Sequence, residues 1–342
     1  MTRKKEIAGK LKNSKLQLNE LMVKGIEAYE VKDYKTSFGC FSQAVLLGDG
    51  NAAWLVGRQY YYGQGCCQSY RRAAKYYKMA AAKKVKEAWY ALATCFKFGL
   101  GVHRSNRNAI KYLILSADEG YSLAQEFLAK KYLASDEVEK ACHYFTLAAD
   151  NGSVDAQYYM FLLFKMGHVP QDTAVKYLKL GAENGMAKAQ RCLGELYFYG
   201  DLGLPEDKTM AFDWCMKAAQ QGDSEASYCA GLSYLNGDGV EANPKMAQHW
   251  LRVAARQNYS DAQLDLARSL FRENTKSSCE EGLTWLRRAA NLKNPEAQLG
   301  LGMMLSTGAY GAPMNVEDAR YWYQQALENG EQKAQWYLER LP

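Results

Sequence analysis

Residues 51–65 read NAAWLVGRQYYYGQG, and residues 87–101 repeat the same pattern as EAWYALATCFKFGLG. Each stretch holds a small residue at its seventh position, Gly57 or Ala93, followed by an aromatic ring three residues later and a closing Gly-x-Gly. We call this small residue the anchor. Self-similarity with a period near 36 residues is typical of solenoid repeat proteins, whose units bury their apolar faces against each other.

The anchor position can be followed through most of the chain. An alanine stands five residues before each anchor, from Ala52 to Ala297, and a glycine or a substitute for it closes each unit. The anchors are Gly57, Ala93, Ala129, Phe161, Gly194, Gly231, Ala267 and Gly302. The closing residues are Gly48, Val85, Gly120, Gly152, Gly185, Gly222, Asn258, Lys293 and Gly330, which gives nine units.

Each unit is predicted to hold two amphipathic helices, because apolar residues recur at helical spacing on both sides of the Gly-x-Gly turn. Small anchors allow the two helices to approach closely, and an aromatic residue of the second helix, such as Tyr76 or Trp214, is expected to fill the space between hairpins. The closing residue is expected to end the second helix in the left-handed conformation.

These residues resemble the Sel1-like repeat family, relatives of tetratricopeptide repeats. The resemblance implies an all-α, right-handed superhelical solenoid of about nine helix-turn-helix repeats. Residues 51–330 are expected to form eight Sel1-like units, and residues 21–50 a tetratricopeptide-like hairpin. Residues 1–20 are expected to form a basic capping segment, and residues 331–342 a capping helix. Departures at residues 133–140, at Phe161 and at residues 272–281, where polar chain replaces the glycine turn, predict local changes in curvature.

The net charge of +6 is unevenly distributed: residues 1–120 hold 21 Lys+Arg against 9 Asp+Glu. This basic end could meet an acidic partner, a membrane surface or nucleic acid, although no nucleic-acid motif accompanies it, so a plain solvated surface is the simpler interpretation. The start lacks the apolar run of a secretory signal, and no stretch is apolar enough for a membrane span. We expect a cytoplasmic protein.

Residue types that carry catalysis are scattered. The four histidines lack metal-ligand spacing, and the turns at 99–102 and 237–240 lack the lysine of a phosphate-binding loop. The nine cysteines form no CxxC pair; Cys192 and Cys229 are equivalent in the repeat, whereas Cys215 is not. A cysteine-rich branch of the family linked with penicillin binding differs in this respect. We expect no enzyme activity, cofactor or metal site.

A partner is expected on the concave face, at positions three before, one after and four after the anchor, as in tetratricopeptide repeats. The predicted binding residues are Trp54, Arg58, Tyr61, Tyr90, Lys97, Tyr158, Arg191, Phe198, Tyr228 and Arg268.

Aromatic residues and arginine are enriched at binding hot spots. The leading hypothesis is therefore a non-catalytic adaptor or scaffold that captures a protein or peptide, with an acidic partner as one option and no small-molecule substrate. The alternatives are an immunity or regulatory protein that inhibits a specific partner, and a hydrolase of peptides or cell-wall material.

Overall fold

A computed structural model describes the backbone of residues 2–342 and the side chains of residues 15–342. Throughout that part of the chain the regular elements are nineteen α-helices and one short 3-10 turn, Ala309–Gly311, with no strand. The chain divides into two compact units, unit 1 ending at Val169 and unit 2 comprising Pro170–Pro342. The all-helical repeat class predicted from the sequence is confirmed.

The helices follow one another with short connections. Unit 1 contains α1 (Thr2–Glu30), α2 (Tyr34–Leu46), α3 (Gly50–Tyr62), α4 (Tyr70–Ala82), α5 (Lys86–Phe98), α6 (Asn106–Asp118), α7 (Ser122–Ala134), α8 (Val138–Asp150) and α9 (Val154–Lys165). Unit 2 contains α10 (Gln171–Glu183), α11 (Ala187–Tyr199), α12 (Lys208–Gln220), α13 (Ser224–Asn236), α14 (Pro244–Arg256), α15 (Ser260–Glu273), α16 (Lys276–Asn291), α17 (Pro295–Thr307), α18 (Val316–Glu328) and α19 (Lys333–Leu338).

Within each unit, consecutive helices pack as hairpins: α1–α2, α3–α4, α5–α6 and α7–α8 in unit 1, and α11–α12, α13–α14, α15–α16 and α17–α18 in unit 2. The odd-numbered helices are the first helices of these hairpins and carry the anchors. Several begin at a side-chain cap, as at Asp49, whose carboxylate accepts from the Ala52 amide, and at Asp223, which caps Ala226 in the same way.

Each glycine anchor faces one buried side chain of the second helix. We call that side chain, and the residue at the same place in the other second helices, the knob. A Cβ added at Gly57 would lie 2.6 Å from the ring of Tyr77, and one at Gly302 would lie 2.7 Å from Tyr323, so the anchor is small because the knob occupies its space. The knobs are Phe41, Tyr77, Leu113, Phe145, Leu178, Cys215, Leu251, Leu286 and Tyr323, and all are buried.

The aromatic residue before the knob has a different place from the one predicted. Tyr76 is only half-buried and stacks on Tyr60 at 5.5 Å, and Tyr112 stacks on Phe96 at the same distance. These aromatics were expected to fill the space between hairpins. Tyr76 and Tyr112 instead stack within their own hairpin, whereas Trp285, in the same place of a later repeat, is buried. One step along a helix turns the side chain by about 100°, so the knob points inward while its neighbour covers the edge of the hairpin.

The second glycine of the Gly-x-Gly turn makes a contact between repeats. A Cβ at Gly65 would lie 2.0 Å from the backbone oxygen of Tyr34, the first residue of α2. Gly101 approaches the carbonyl of Tyr70 at the start of α4 in the same way, and a Cβ there would lie 2.1 Å from that oxygen. Backbone touches backbone at these joints, so no side chain fits.

One predicted closing residue needed correction. The left-handed residue after α4 is Lys84 (φ 60°), not Val85, because a β-branched side chain disfavours positive φ. The predicted left-handed residues Asn258 and Lys293 are confirmed, both at φ 63°. At residues 272–281 polar chain does replace the glycine turn, with Asn274 in the left-handed conformation. The helix α16 begins at Lys276, behind a Thr275 capping box, and has 16 residues against 14 in α15 and 13 in α17.

Buried glutamines link consecutive repeats, a feature that the sequence analysis missed. The Gln125 amide donates to the Ala117 carbonyl at 2.8 Å, while its oxygen accepts from Asn151 at 3.1 Å. We call this pair of bonds the amide relay. It recurs at Gln190, with Ala182 and Gln221, and at Gln298, with Ala290 and Asn329.

The relay is incomplete at Gln263. Its amide donates to the Ala255 carbonyl at 2.9 Å, but its buried Oε1 atom has no hydrogen-bond partner. The residue that would donate, by its place in the repeat, is Leu292, whose side chain is apolar.

At the chain ends, α1 runs continuously through the predicted capping segment and into the first hairpin. The side chains of residues 1–14 lie outside the described residues, and the capping role of 1–20 stays a prediction. At the other end, Ala334 of α19 is buried and Tyr337 stacks on the knob Tyr323 at 5.4 Å.

Candidate partner-binding clefts

A cleft of about 500 Å³ lies between α3 and α5 in unit 1. We call it the aromatic cleft, because its lining includes Trp54, Tyr61, Tyr90 and Tyr121. Arg58 lies on it as well, so four of the predicted binding residues share one surface.

The register of α3 and α5 places these groups. Trp54 and Arg58 are one helical turn apart, and the Arg58 guanidinium lies 4.9 Å from the centre of the Trp54 ring, a cation–π contact. From α5, Tyr90 meets Tyr121 edge to face at 5.4 Å. Burial raises the pKa of the Tyr61 phenol, and burial together with the Glu126 carboxylate raises the pKa of Tyr90. Both phenols therefore stay neutral and can donate hydrogen bonds.

Arg58 shares the cleft with an acid of the next repeat. Glu87 also lines the aromatic cleft, yet among the residues whose side chains are described no ion pair involves either Arg58 or Glu87. Neither group has its charge neutralised by a neighbour within 4 Å, so both can meet a ligand. Sequence reasoning missed Glu87, although its position six residues before the anchor Ala93 is a signal.

At three other junctions a comparable contact is made, and two of these have the same register as Arg58 and Glu87. In each case a basic residue near one anchor meets an acid six residues before the next anchor, which we call an inter-repeat ion pair. The pairs are Lys130–Asp155 at 3.8 Å, Arg191–Glu225 at 2.7 Å and Arg268–Glu296 at 2.7 Å. Arg58 and Glu87 occupy the same register without making the contact.

A second cleft, of about 640 Å³, adjoins the C-terminal turn of α5. We call it the lysine cleft, since Lys97, Lys130 and Lys131 line it together with Phe127. The Lys97 ammonium lies 4.3 Å above the Phe127 ring. The predicted residue Lys97 thus belongs to this neighbouring cleft and not to the aromatic one. Its combination of cations and an apolar wall suits an acidic side chain beside an apolar one.

The remaining predicted residues do not join either cleft. Tyr158 lies half-buried on α9 in unit 1. In unit 2, Arg191 is held by Glu195, Asp223 and Glu225; Tyr228 donates to Asp265 at 2.9 Å; and Arg268 meets Asp265 and Glu296. Phe198 lines a smaller cavity. The polar predicted residues of unit 2 are therefore already engaged within the protein.

No catalytic constellation accompanies the clefts. Across residues 15–342, no three His, Cys, Asp or Glu side chains converge as metal ligands. No disulfide bond joins any of the cysteines, all of which lie among the described residues. None of the described helices has the length and apolarity needed to cross a bilayer. The two clefts present aromatic rings, two unpaired charges and a lysine cluster to a volume that a peptide could enter.

Comparison with known proteins assigns the repeats. The sequence profile of the Sel1 repeat matches eight times, at residues 50–85, 87–121, 123–153, 154–186, 187–223, 225–259, 260–294 and 295–331. Chitin synthase regulatory factor 2 of Schizosaccharomyces pombe is 27% identical over 252 residues, which are 67% of this chain and 48% of that protein. The chain spans about half the length of this relative.

Two solved structures share the fold. A protective antigen of uropathogenic Escherichia coli aligns over 98% of this chain and 81% of its own, with a TM-score of 0.62 and 24% identity. A Sel1 repeat protein of Oxalobacter formigenes aligns over 88% and 89%, with a TM-score of 0.61 and 25% identity. These likenesses confirm the predicted solenoid class of repeat fold.

Proposed function

The chain belongs to the Sel1 repeat family, and from that premise we propose that it is a non-catalytic adaptor that holds a segment of a partner protein in the clefts of unit 1. Sel1 repeat proteins act as protein-interaction adaptors. In this proposal the aromatic cleft is the main binding site for the partner segment, and the lysine cleft extends it.

One observation carries this proposal, the unmade contact between Arg58 and Glu87. Three other inter-repeat ion pairs in the described chain are formed, so the geometry of the repeat permits the contact. In the aromatic cleft the guanidinium lies against Trp54 instead, and the carboxylate is left open. A partner with a negative group for Arg58 and a positive group for Glu87 would displace water there, and the two contacts would fix its orientation.

The chemistry of the clefts describes the partner segment. Aromatic walls suit a large apolar side chain, which buries area without needing a matched polar group. Arg58, Lys97 and Lys131 favour acidic residues beside it, while Glu87 accepts a single basic group or a peptide amide. We propose an extended, mainly acidic peptide segment with one apolar anchor residue.

The S. pombe relative is named as a regulatory factor of chitin synthase. A similar regulatory role, exerted by holding a partner and not by chemistry, fits the clefts described above. No group of side chains among residues 15–342 favours the hydrolase alternative.

The test compares two arginines in the same register. Full-length wild type, Arg58→Ala and Arg268→Ala serve as baits in quantitative affinity purification from the native cell, followed by dissociation constants for the recovered partner. We expect Arg58→Ala, and Trp54→Ala with Tyr90→Ala, to weaken partner binding at least tenfold, because hot-spot truncations cost above about 1.4 kcal/mol.

Arg268→Ala is the matched control and should bind as wild type does. Circular dichroism should show that all variants keep their helical content. Equal binding by Arg58→Ala and wild type, or equal losses in Arg58→Ala and Arg268→Ala, would contradict the proposed site.

A further inference from the structure

One knob differs from all the others. Where the remaining hairpins bury Leu, Phe or Tyr, α12 carries Cys215. The facing anchor is still a glycine: a Cβ on Gly194 would lie 2.7 Å from the Cys215 sulfur. A small knob opposite a small anchor leaves space that the other hairpins fill with side chain.

That space is a cavity of about 140 Å³ in unit 2. Its walls include Phe198, Phe212 and Leu232, and a second thiol, Cys229 of α13, lines it as well. An apolar cavity of roughly 150 Å³ is large enough to hold benzene or xenon. The cavity here differs because two sulfur atoms, from consecutive hairpins, open into it.

The two thiols interact directly. They share a hydrogen bond, which raises the pKa of Cys215, as does its burial, while the same bond lowers the pKa of Cys229. The Glu195 carboxylate and the Arg191 guanidinium act on both sulfurs in opposite directions.

We propose that Cys215 and Cys229 form a two-thiolate site for a soft monovalent metal ion of the Cu(I) class. Thiolates prefer soft ions, and hard divalent ions need more oxygen donors than these two sulfurs supply. No third His, Cys, Asp or Glu ligand converges anywhere within residues 15–342, which favours an ion that accepts two-coordinate binding.

The binding step is balanced without redox chemistry. Each thiol releases one proton to solvent, two sulfur–metal bonds form, and the ion enters and stays in the monovalent state. The loaded site carries one net negative charge. Glu195 and Asp238 also line the cavity, but each is already paired with a cation, Glu195 with Arg191 at 2.7 Å and Asp238 with Lys208 at 2.8 Å, so the two thiols are the ligands that the cavity offers.

The experiment uses the reduced full-length chain carrying Cys66→Ser and Cys67→Ser, which removes the solvent-accessible neighbouring pair of thiols. Under anaerobic conditions it is titrated with Cu(I) against a chromogenic chelator, and with Ag(I) as a redox-stable probe. The charge-transfer absorption of the thiolate–metal bonds reports loading. We expect one equivalent to bind, and Cys215→Leu or Cys229→Ser to weaken its affinity at least 100-fold.

Cys192→Ser is the matched control, because Cys192 occupies the place of Cys229 in the preceding repeat, where the knob is Leu178. It should bind as the parent does. Cys215→Leu introduces the residue found at four other knobs, so this variant should fold. Cys229→Ser tests the second ligand without changing the knob.

Equal metal affinity in Cys215→Leu and Cys192→Ser would overturn the proposal. So would tighter binding of Zn(II) than of Cu(I), or a Cys215–Cys229 disulfide formed with peroxide in a chain that binds no Cu(I). The partner-binding assay does not involve these residues, so the two proposals fail independently.

Discussion

Arg58 in unit 1 and Gln263 in unit 2 each leave a contact between neighbouring repeats unmade, but in opposite surroundings. Arg58 faces an open cleft, where water can solvate both it and Glu87. The Oε1 atom of Gln263 is buried, with no donor in reach. An unpaired charge at a wet surface costs little, whereas a buried unsatisfied acceptor costs about 1–3 kcal/mol.

The difference separates two meanings of a broken repeat pattern. At Arg58 the missing ion pair exposes groups that a partner can use, with no large penalty to the fold. At Gln263 the missing bond exposes nothing to solvent and only lowers stability. Of these two departures, the one with accessible polar groups is a candidate for function, and the one with a buried, unpaired oxygen is a packing defect.

The largest loss of stability is expected on substitution of Arg191, which is paired where Arg58 is not. Three carboxylates surround Arg191, and its side chain is only 16% exposed. Arg191→Met leaves those carboxylates facing one another. We expect a loss of about 2 kcal/mol in the free energy of unfolding, less than the ~3–5 kcal/mol of a fully buried pair because two of the acids reach solvent. Urea unfolding measures it.

Arg58→Met is the control for this measurement. It should cost below about 1 kcal/mol, the range of an exposed cation–π contact. Similar losses for the two variants would remove the distinction between the paired and unpaired arginines.

Next in size is the repair of the amide relay. Leu292→Asn places a donor where Asn329 and Gln221 stand in the intact copies, so Gln263 Oε1 gains a partner. We expect a gain of about 1 kcal/mol, seen as a higher Tm in calorimetry. Asn329→Leu, which makes the same defect in the next repeat, should lower the Tm. An unchanged Tm for Leu292→Asn would mean that water already satisfies the buried oxygen.

A smaller effect is expected from Arg268 and Glu296, whose side chains are more than half exposed. A double-mutant cycle with Arg268→Ala and Glu296→Ala should give a coupling energy of about 0.2–1 kcal/mol, reduced by added salt. A coupling energy above about 2 kcal/mol would show that the strength of these ion pairs does not follow their burial.

The smallest effect is expected from the same cycle at the unmade contact. Arg58→Ala and Glu87→Ala should be additive in unfolding experiments on the protein alone, because the two groups do not touch. Coupling should appear only in the affinity for the partner, where both charges are engaged. A coupling energy in the free protein equal to that of Arg268 and Glu296 would show that the pair forms in solution.

Much of the fold could be predicted because the repeat constrains many positions at once. Small anchors, the alanine five residues earlier and the closing glycine all have a local cause, so they could be recognised in sequence. The knob was not recognised in the sequence, since a tryptophan or tyrosine is more conspicuous than the leucine that often follows it. Val85 was chosen for its spacing, but the φ preference of a β-branched residue moved the left-handed position to Lys84.

The candidate site was harder to predict, because it depends on contacts between repeats. The register of the anchors placed Trp54, Arg58 and Tyr61 on one surface, and Tyr90 opposite them. It could not show that acids of the following hairpin form ion pairs with Arg191 and Arg268, nor that Glu87 forms no such pair. The meeting of Cys215 with Cys229 was hidden for the same reason: the two residues occupy different positions of consecutive repeats.

The glycine joints described for the fold restrict how this protein can be rearranged. At Gly65, Gly101 and Gly239 the turn packs its backbone against the start of the second helix of the preceding hairpin, where no side chain fits. Hairpins that have this glycine joint should be interchangeable by gene duplication or by engineering, since the joint is formed by backbone atoms and does not depend on the side chains of the preceding hairpin. Hairpins without it depend on the side chains of one particular neighbour, and we expect them to lose their packing when moved.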